Sequence, residues 1–507
     1  MTRCDHVLLA LVGSAMTMQA QASPEVVALQ LPKTVRLTDL LDVDVDGDGR
    51  SDLVLACFDE QTKKRELRTH LRSARAPQFA AEPSTTPYAL ERDVIAFTFA
   101  DVHASPGREL VLFTAERAVA VLPAASASEA PRYEPLFAHR LLWAVPDATR
   151  ALALDDVVHD VDGDGLDDFL LPEADGARLV LQRRKDGAVG FLPPVMWPLP
   201  AWRSPLEAGT AGGPIRARGG EVRFDLFDDA GEDADTGPLV QVRARTPRML
   251  LCDLVGDGAR DAIALRNDSL WCWAIGPGAE IAATPAPMPL PLPADRLTLL
   301  DPAFEVQFAD LNRDGRADLL LTTSARRNDE VEVRIDLFLQ RDAAPAWAAK
   351  PDCRLRMQQV AAAAQLVDAD GDGQLDLVAI TVRTDLLRGL TGEGKTALQA
   401  QLNVFHGNAA GFDVPAMLNQ QLELPVRQGR QRSPFVHVMA GPAGAALLLR
   451  IEDRLALQPL QCFDTRLRLL PPVWQVPIPP TASPQLAHNA PEVLVVDKHE
   501  LLHVSWR

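Results

Sequence analysis

Asp368-Ala-Asp370-Gly-Asp372-Gly373-Gln-Leu-Asp376, running directly into Leu377-Val-Ala-Ile380, is the stretch from which the fold is read. It places acidic residues at positions 1, 3, 5 and 9 of a short turn with glycine at position 6, then continues as an apolar, β-branched run. Asp and Gly favour tight turns, and a short apolar run bounded by such a turn reads as a buried strand. Four further copies occur: Asp44-Val-Asp46-Gly-Asp48-Gly49-Arg-Ser-Asp52, Asp160-Val-Asp162-Gly-Asp164-Gly165-Leu-Asp-Asp168, Asp253-Leu-Val-Gly-Asp257-Gly258-Ala-Arg-Asp261 and Asp310-Leu-Asn312-Arg-Asp314-Gly315-Arg-Ala-Asp318. Two faded copies extend the series, one at Phe99-Ala-Asp101 leading to Glu109-Leu-Val-Leu-Phe113, the other between Val436 and Leu449.

Loop starts at 44, 101, 160, 253, 310, 368 and about 438 are separated by 57, 59, 93, 57, 58 and about 70 residues. Each interval has room for a second hairpin, as at Glu332-Val-Arg-Ile-Asp-Leu-Phe338 and at Leu402-Asn-Val-Phe-His406 before Gly407-Asn-Ala-Ala-Gly-Phe412. A repeat of this length with four strands and no helix of consequence predicts an all-β chain. The expected form is a seven-bladed β-propeller of four-stranded antiparallel blades, in which each blade buries its faces on its neighbours. Pairing of Val26–Leu37 with the terminal strands Glu492–Val496 and Leu501–Trp506 would close the ring.

Carboxylates converging in a tight loop, with a backbone carbonyl at position 7, form a cage of hard oxygens suited to Ca²⁺. The expected ligands are Asp44, Asp46, Asp48 and Asp52; Asp160, Asp162, Asp164 and Asp168; Asp253, Asp257 and Asp261; Asp310, Asn312, Asp314 and Asp318; and Asp368, Asp370, Asp372 and Asp376, for up to five ions. These are not EF-hands. Position 12, a bidentate Glu in an EF-hand, is Leu55, Leu171, Ala264, Leu321 or Ala379, each within a strand-like run, so position 9 takes over the closing role. Val255 replaces a ligand in the Asp253 loop and weakens it. A single copy is explained equally well as a hairpin cap; five at a fixed period are not. Such cages repel themselves without an ion, so metal binding should contribute folding energy.

These loops, the Leu-Val or Leu-Leu strands after them and the Val404-Phe-His-Gly-Asn-Ala-Ala-Gly-Phe412 turn resemble the FG-GAP/VCBS repeat family, whose relatives include the propellers of integrin α chains. The resemblance spans about residues 26 to 507. It implies that the loops join the first two strands of a blade and hold Ca²⁺. It says little about function, because the family includes adhesion heads, lectin-like modules and parts of lyases. No metal is expected at the faded loops.

Composition narrows the rest. With 51 Lys+Arg against 69 Asp+Glu, a net charge of -18 and no basic run, the chain lacks the clustered positive face that nucleic-acid recognition needs. Arg3, the apolar run Val7–Met16 and Ala20-Gln21-Ala22 read as a signal peptide over 1–22. Residues 23–507 are then expected to form one propeller domain in an exported protein that is periplasmic, cell-surface or secreted. No later segment has the length and apolarity of a membrane span. Cys57, Cys252, Cys272, Cys353 and Cys462 have no CxxC spacing and read as buried free thiols, with Cys252 and Cys272 on the first and third strands of one sheet.

Gly389-Leu-Thr-Gly-Glu-Gly394-Lys395-Thr396 matches a phosphate-binding loop, but it lies between strands of one blade rather than before the helix of an α/β fold, and reads as a surface loop. The long interval after Asp160 implies an insertion around 198–236. It is flanked by Trp197 and contains Trp202, and it is read as an elaborated loop rather than as an aromatic binding arm. The chain contains no HExxH, GxSxG or SxxK pattern. The functional expectation is a binding or scaffold module for a protein or glycan, without an assigned catalytic residue. The alternative is a carbohydrate-active enzyme, a polysaccharide lyase or hydrolase, on the same ring.

Overall fold

The computed structural model describes residues 24–505 except 76–77, 104–105, 123–130, 140–146, 174–175, 186–187, 200–247, 255, 267–268, 276–284, 293–299, 328–329, 342–346, 359, 384–396, 426–434, 442–443, 464–465, 480–481 and 487–491. The signal-peptide reading, the phosphate-loop match and most of the 198–236 insertion, Trp202 included, therefore lie outside the described residues.

Strand pairing builds eight antiparallel blades rather than seven. Blade 1 pairs Val35–Val43, Asp52–Asp59, Lys64–His70 and Tyr88–Leu90 in that order. Blade 2 runs Ala96–Ala100, Glu109–Phe113, Arg117–Leu122 and Arg132–Ala138, with Leu152–Ala153 added in parallel to its first strand. Blade 3 is Val158–His159, Asp168–Glu173, Gly176–Val180 and Val195–Pro198; blade 4 is Arg248–Cys252, Asp261–Arg266, Ser269–Trp273 and Ala286–Pro289. Blade 5 is Leu300–Ala309, Asp318–Arg327, Glu330–Phe338 and Cys353–Gln358; blade 6 is Val360–Val367, Asp376–Arg383, Ala397–Phe405 and Leu418–Pro425. Blade 7 comprises Val436–Gly441, Gly444–Ile451 and Arg454–Phe463, the last pairing with both Arg466–Leu469 and Trp474–Pro477.

Blade 8 explains the miscount. It takes Ser483–Leu486, Glu492–Val496 and Glu500–Ser505 from the end of the chain and Glu25–Gln30 from its beginning, with Glu25 opposite Ser505 and Gln30 opposite Glu500. A unit split between the two ends and lacking an Asp-rich turn leaves no periodic signal to count. Of the expected closing pairing, Glu25–Gln30 makes it, while Val35–Val43 opens blade 1.

Successive side chains on a strand point to opposite faces, and a blade has a neighbour on each face. This is why the second strands are apolar without interruption. In blade 1, Leu53, Leu55 and Cys57 pack with Leu29, Leu494 and Leu501 of blade 8, while Val54 and Ala56 pack with Phe97, Phe99 and Leu112 of blade 2. Blade 5 repeats the division, with Leu319 and Leu321 toward blade 4 and Leu320 toward blade 6. The last strands have one free face and alternate, as in Trp474–Pro477 with its burial pattern of buried, exposed, buried, exposed. Eight apolar clusters fill the eight interblade spaces, the last joining Leu448 and Leu455 of blade 7 to Val493 and Val495 of blade 8.

First strands are also tied across blades by polar groups. Gln307 Nε2 donates to the Ala364 carbonyl at 3.0 Å and the Val438 N–H to Gln365 Oε1 at 3.0 Å, while Thr98 Oγ1 donates at 2.7 Å to the Leu154 carbonyl just past the strand added to blade 2. Trp197 is fully buried and stacks on Trp273 of blade 4, with centroids 4.9 Å apart. It is core and not a surface anchor. Cys252 and Cys272 occupy first and third strands as expected, and all five described cysteines are free, but Cys462 is exposed and Cys252 and Cys353 are half-buried, so only Cys57 and Cys272 are buried.

Candidate metal centres

All five Asp-rich loops join the first and second strands of a blade. Their shape follows from local hydrogen bonds to short side chains. The position 1 carboxylate accepts the position 6 N–H through Oδ2, at 2.9 Å for Asp44 and Gly49, 3.1 Å for Asp160 and Gly165, 2.8 Å for Asp253 and Gly258, 3.0 Å for Asp310 and Gly315, and 2.9 Å for Asp368 and Gly373. The position 5 carboxylate accepts the position 7 N–H at 2.7 to 3.0 Å in every loop. Positions 4 and 6 take left-handed backbone. Glycine fills both except at Arg313, whose φ of 60° carries the steric cost of a Cβ there.

Position 9 has a separate job. Asp52, Asp168, Asp261, Asp318 and Asp376 each open a second strand and are all but completely buried. One oxygen accepts the position 2 N–H at 2.8 to 3.0 Å, from Val45, Val161, Leu254, Leu311 and Ala369. The other accepts an N–H at the end of the third strand, from Arg72, Gln182, Ile275, Gln340 and Gly407, at 2.7 to 3.4 Å. This carboxylate staples the loop to the blade. The faded loop keeps it: Glu109 Oε2 accepts the Val102 and His103 N–H groups at 3.1 Å, although positions 3 and 5 are His103 and Ser105. Burial pushes the carboxyls of Asp52, Asp318 and Asp376 above their ordinary range. Desolvation raises Asp168 furthest, to about 7, with the nearby charges of Asp162 and Asp164 adding to it and the two N–H donors opposing it.

Oxygens from Asp44, Asp46 and Asp48, from Asp160, Asp162 and Asp168, and from Asp368, Asp370 and Asp372 gather within 4.8 Å of one another. A fourth group joins Asp370 and Asp376 to His406. In the Asp160 loop one buried oxygen, Asp160 Oδ1, accepts no hydrogen bond, and Asp162 Oδ2 has only the Arg183 guanidinium beside it. An orphaned carboxylate oxygen such as Asp160 Oδ1 fits a cation. There the Arg183 guanidinium stands 2.5 Å from Asp162 Oδ2 and 2.8 Å from Asp164 Oδ2, an internal cation that a metal ion would have to displace. Asn312 supplies an amide oxygen at position 3 of its loop, already bonded to the Asp314 N–H at 3.0 Å. Val255, the weak position of the Asp253 loop, lies outside the described residues.

The loops touch one another along one end of the blades. The Arg108 N–H donates to the Val45 carbonyl at 2.8 Å, the Asp101 N–H to Asp167 Oδ2 at 2.7 Å, and the Ala317 N–H to the Asp253 carbonyl at 2.8 Å. The staple, the Arg183 counter-charge and the His406 imidazole were not read from the sequence. Retention of an acid at position 9 of the faded loop was the one signal that could have separated stapling from ligation.

No family model matches the chain, and no curated protein matches it. Among solved structures it is similar to a lectin of Agrocybe aegerita described for its recognition of non-reducing terminal N-acetylglucosamine, at 13% identity over 89% of this chain and 90% of that one, with a TM-score of 0.33. It is also similar to the β-propeller domain of Vanderwaltozyma polyspora Nup133, at 8% identity over 96% and 99% of the two chains, with a TM-score of 0.31. A third is the exotype rhamnogalacturonan lyase YesX, at 12% identity over 94% and 76%, with a TM-score of 0.29. The class, a β-propeller, is defined by the chain's own strand pairing. No helix among the described residues is long and apolar enough to cross a membrane.

Proposed function

We propose that this chain is a calcium-loaded propeller of the FG-GAP/VCBS kind, exported and serving as a binding or scaffold module for a protein or glycan. The observation that carries the reading is the recurrence of one Asp-rich turn at the same place in five blades, each shaped by the same backbone bonds, with the acidic oxygens of the Asp44, Asp160 and Asp368 loops gathered within 4.8 Å of one another. Ca²⁺ suits these donors, which are carboxylate and amide oxygens with a backbone carbonyl within reach. The ions would offset the mutual repulsion of the carboxylates and fix the first two strands of each blade, leaving the ring rigid enough to present a surface. That surface would recognise its ligand through loops carried on fixed strands.

The test is a melting curve of the chain from Ser23 onward in Ca²⁺ and in chelator, with bound Ca²⁺ counted by elemental analysis. Several ions per chain and a lower midpoint on chelation support the reading; no bound ion and an unchanged midpoint reduce the loops to hairpin caps. Binding to a glycan array and to proteins of an envelope fraction then assigns the ligand class.

A further inference from the structure

We propose that the Asp368 loop is a second kind of metal centre, in which His406 adds a nitrogen and selects a zinc-class dication over Ca²⁺. The inference deepens the metal-loop reading and shares its premise that this loop holds a cation.

The five loops can be superposed by one hydrogen bond, that from the end of the third strand to the position 9 carboxylate. The donors are Arg72, Gln182, Ile275, Gln340 and Gly407. The residue before each donor is Leu71, Leu181, Ala274, Leu339 and His406. Four blades place an apolar side chain there; blade 6 places an imidazole. Its Nδ1 is shielded from water and makes no hydrogen bond. It stands 3.4 Å from Asp370 Oδ2 and 3.5 Å from Asp376 Oδ1. Nε2 lies 4.0 Å from Asp372 Oδ2.

Those separations indicate which ion fits. A tetrahedral ion with bonds of about 2.1 Å to nitrogen and oxygen holds its donors about 3.4 Å apart. Ca²⁺ prefers longer bonds, more ligands and oxygen alone, whereas imidazole raises affinity for Zn²⁺ and its first-row neighbours. Asp376 is fully buried and its ligating oxygen is oriented by the Gly407 N–H at 2.8 Å, the kind of supporting bond that steadies a metal-bound carboxylate. The backbone that carries the imidazole is held on both sides: the His406 carbonyl accepts the Asp413 N–H at 2.9 Å. A Cβ on Gly407 would stand 2.1 Å from the Leu375 carbonyl oxygen, so the strand sits directly on the loop. Three protein donors leave a fourth position for water or Asp372. Asp370 also belongs to the all-oxygen group with Asp368 and Asp372, so the two ions compete for one loop.

The experiment is equilibrium dialysis of the full chain against Ca²⁺ in excess with Zn²⁺ at equimolar protein, followed by elemental counting, for the native chain and for His406→Leu. Leucine is the residue that blades 1, 3 and 5 place there, which favours folding, and circular dichroism and the melting midpoint confirm it. Expected is one Zn²⁺ per native chain, none in the variant, one more Ca²⁺ in the variant, and a loss of Zn²⁺ affinity of roughly tenfold or more. Equal Zn²⁺ in the two proteins, or none in either, overturns the proposal. The Ca²⁺ count judges the other loops separately: Zn²⁺ lost with His406 but no Ca²⁺ anywhere retires calcium and keeps this centre. Several Ca²⁺ with no dependence on His406 does the reverse.

Discussion

Replacing Asp318 by Ala separates stapling from metal binding. Asp318 Oδ2 accepts the Leu311 N–H at 2.9 Å and Oδ1 the Gln340 N–H at 2.8 Å, and the side chain is completely buried. The substitution strands two buried donors, each costing about 1–3 kcal/mol, and recovers part of the desolvation that raises the Asp318 carboxyl. The net loss is about 2–4 kcal/mol. For a chain of 507 residues, at about 2.1 cal/mol/K of unfolding entropy per residue, 1 kcal/mol moves the midpoint by about 1 °C, so the expected drop is about 2–4 °C. The decisive condition is chelator, where a pure ligand has nothing left to lose. Thermal melts in chelator should show the full drop for Asp318→Ala but a change within about 0.5 °C for Asp314→Ala, whose side chain lies at the surface of the loop. Equal midpoints for Asp318→Ala and the native chain in chelator would refute the staple. Glu109→Ala in the faded loop should cost about the same with and without Ca²⁺.

Three further outcomes are expected. His139 is buried against Phe113, with ring centroids 5.6 Å apart, and desolvation lowers it from 6.5 to about 4. The unfolded chain therefore binds the proton first, and this contribution is complete above pH 6.5 and disappears as pH falls toward 4. That is worth about 3 kcal/mol at ~1.36 kcal/mol per decade, and His139→Phe should flatten this part of the pH–stability curve. Arg72→Met leaves Glu492, which burial would raise but which its bonds from His503 and Arg72 hold below its ordinary range, with the His503 bond alone. Losing one of two partners of a buried carboxylate costs about 1–3 kcal/mol, and hydrogen exchange should show Glu25–Gln30 and Glu500–Ser505 losing protection before the other strands. Arg313→Gly places in the Asp310 loop the residue that the other four loops use at position 4. Relief of left-handed strain should raise the midpoint by a few tenths of a degree to about 1 °C, and a lowered midpoint would count against it.

The repeat, the strand order within a blade and the place of each loop were legible because Asp and Gly at fixed spacing dictate a turn, and the apolar run beginning at Leu53 or Leu319 dictates a strand buried on both faces. The number of blades was not, because blade 8 has no loop of that composition and draws its strands from both ends. Its one trace is Glu492, the first residue of its second strand and thus the counterpart of Asp52 and Glu109. Within the site the carboxylates were legible as a group but not in their division of labour. Asp44 and Asp52 look alike in sequence, and only burial and hydrogen bonding distinguish the carboxylate that shapes a turn from the one that rivets it to the third strand. Arg183 and His406 reach the loops from the third strand's end, a proximity that residue spacing does not encode.

The register of Glu25 against Ser505 has a consequence for biosynthesis. The first of the described strands to leave the ribosome belongs to the last blade, so its pairing partner is made only after seven blades. An uncovered edge is a template for pairing with other chains. Any partner that shields Glu25–Gln30 until Glu500–Ser505 arrives would govern the yield of native protein. A fusion or cut that disables this short strand should lower the yield of native protein and raise aggregation without altering a single loop.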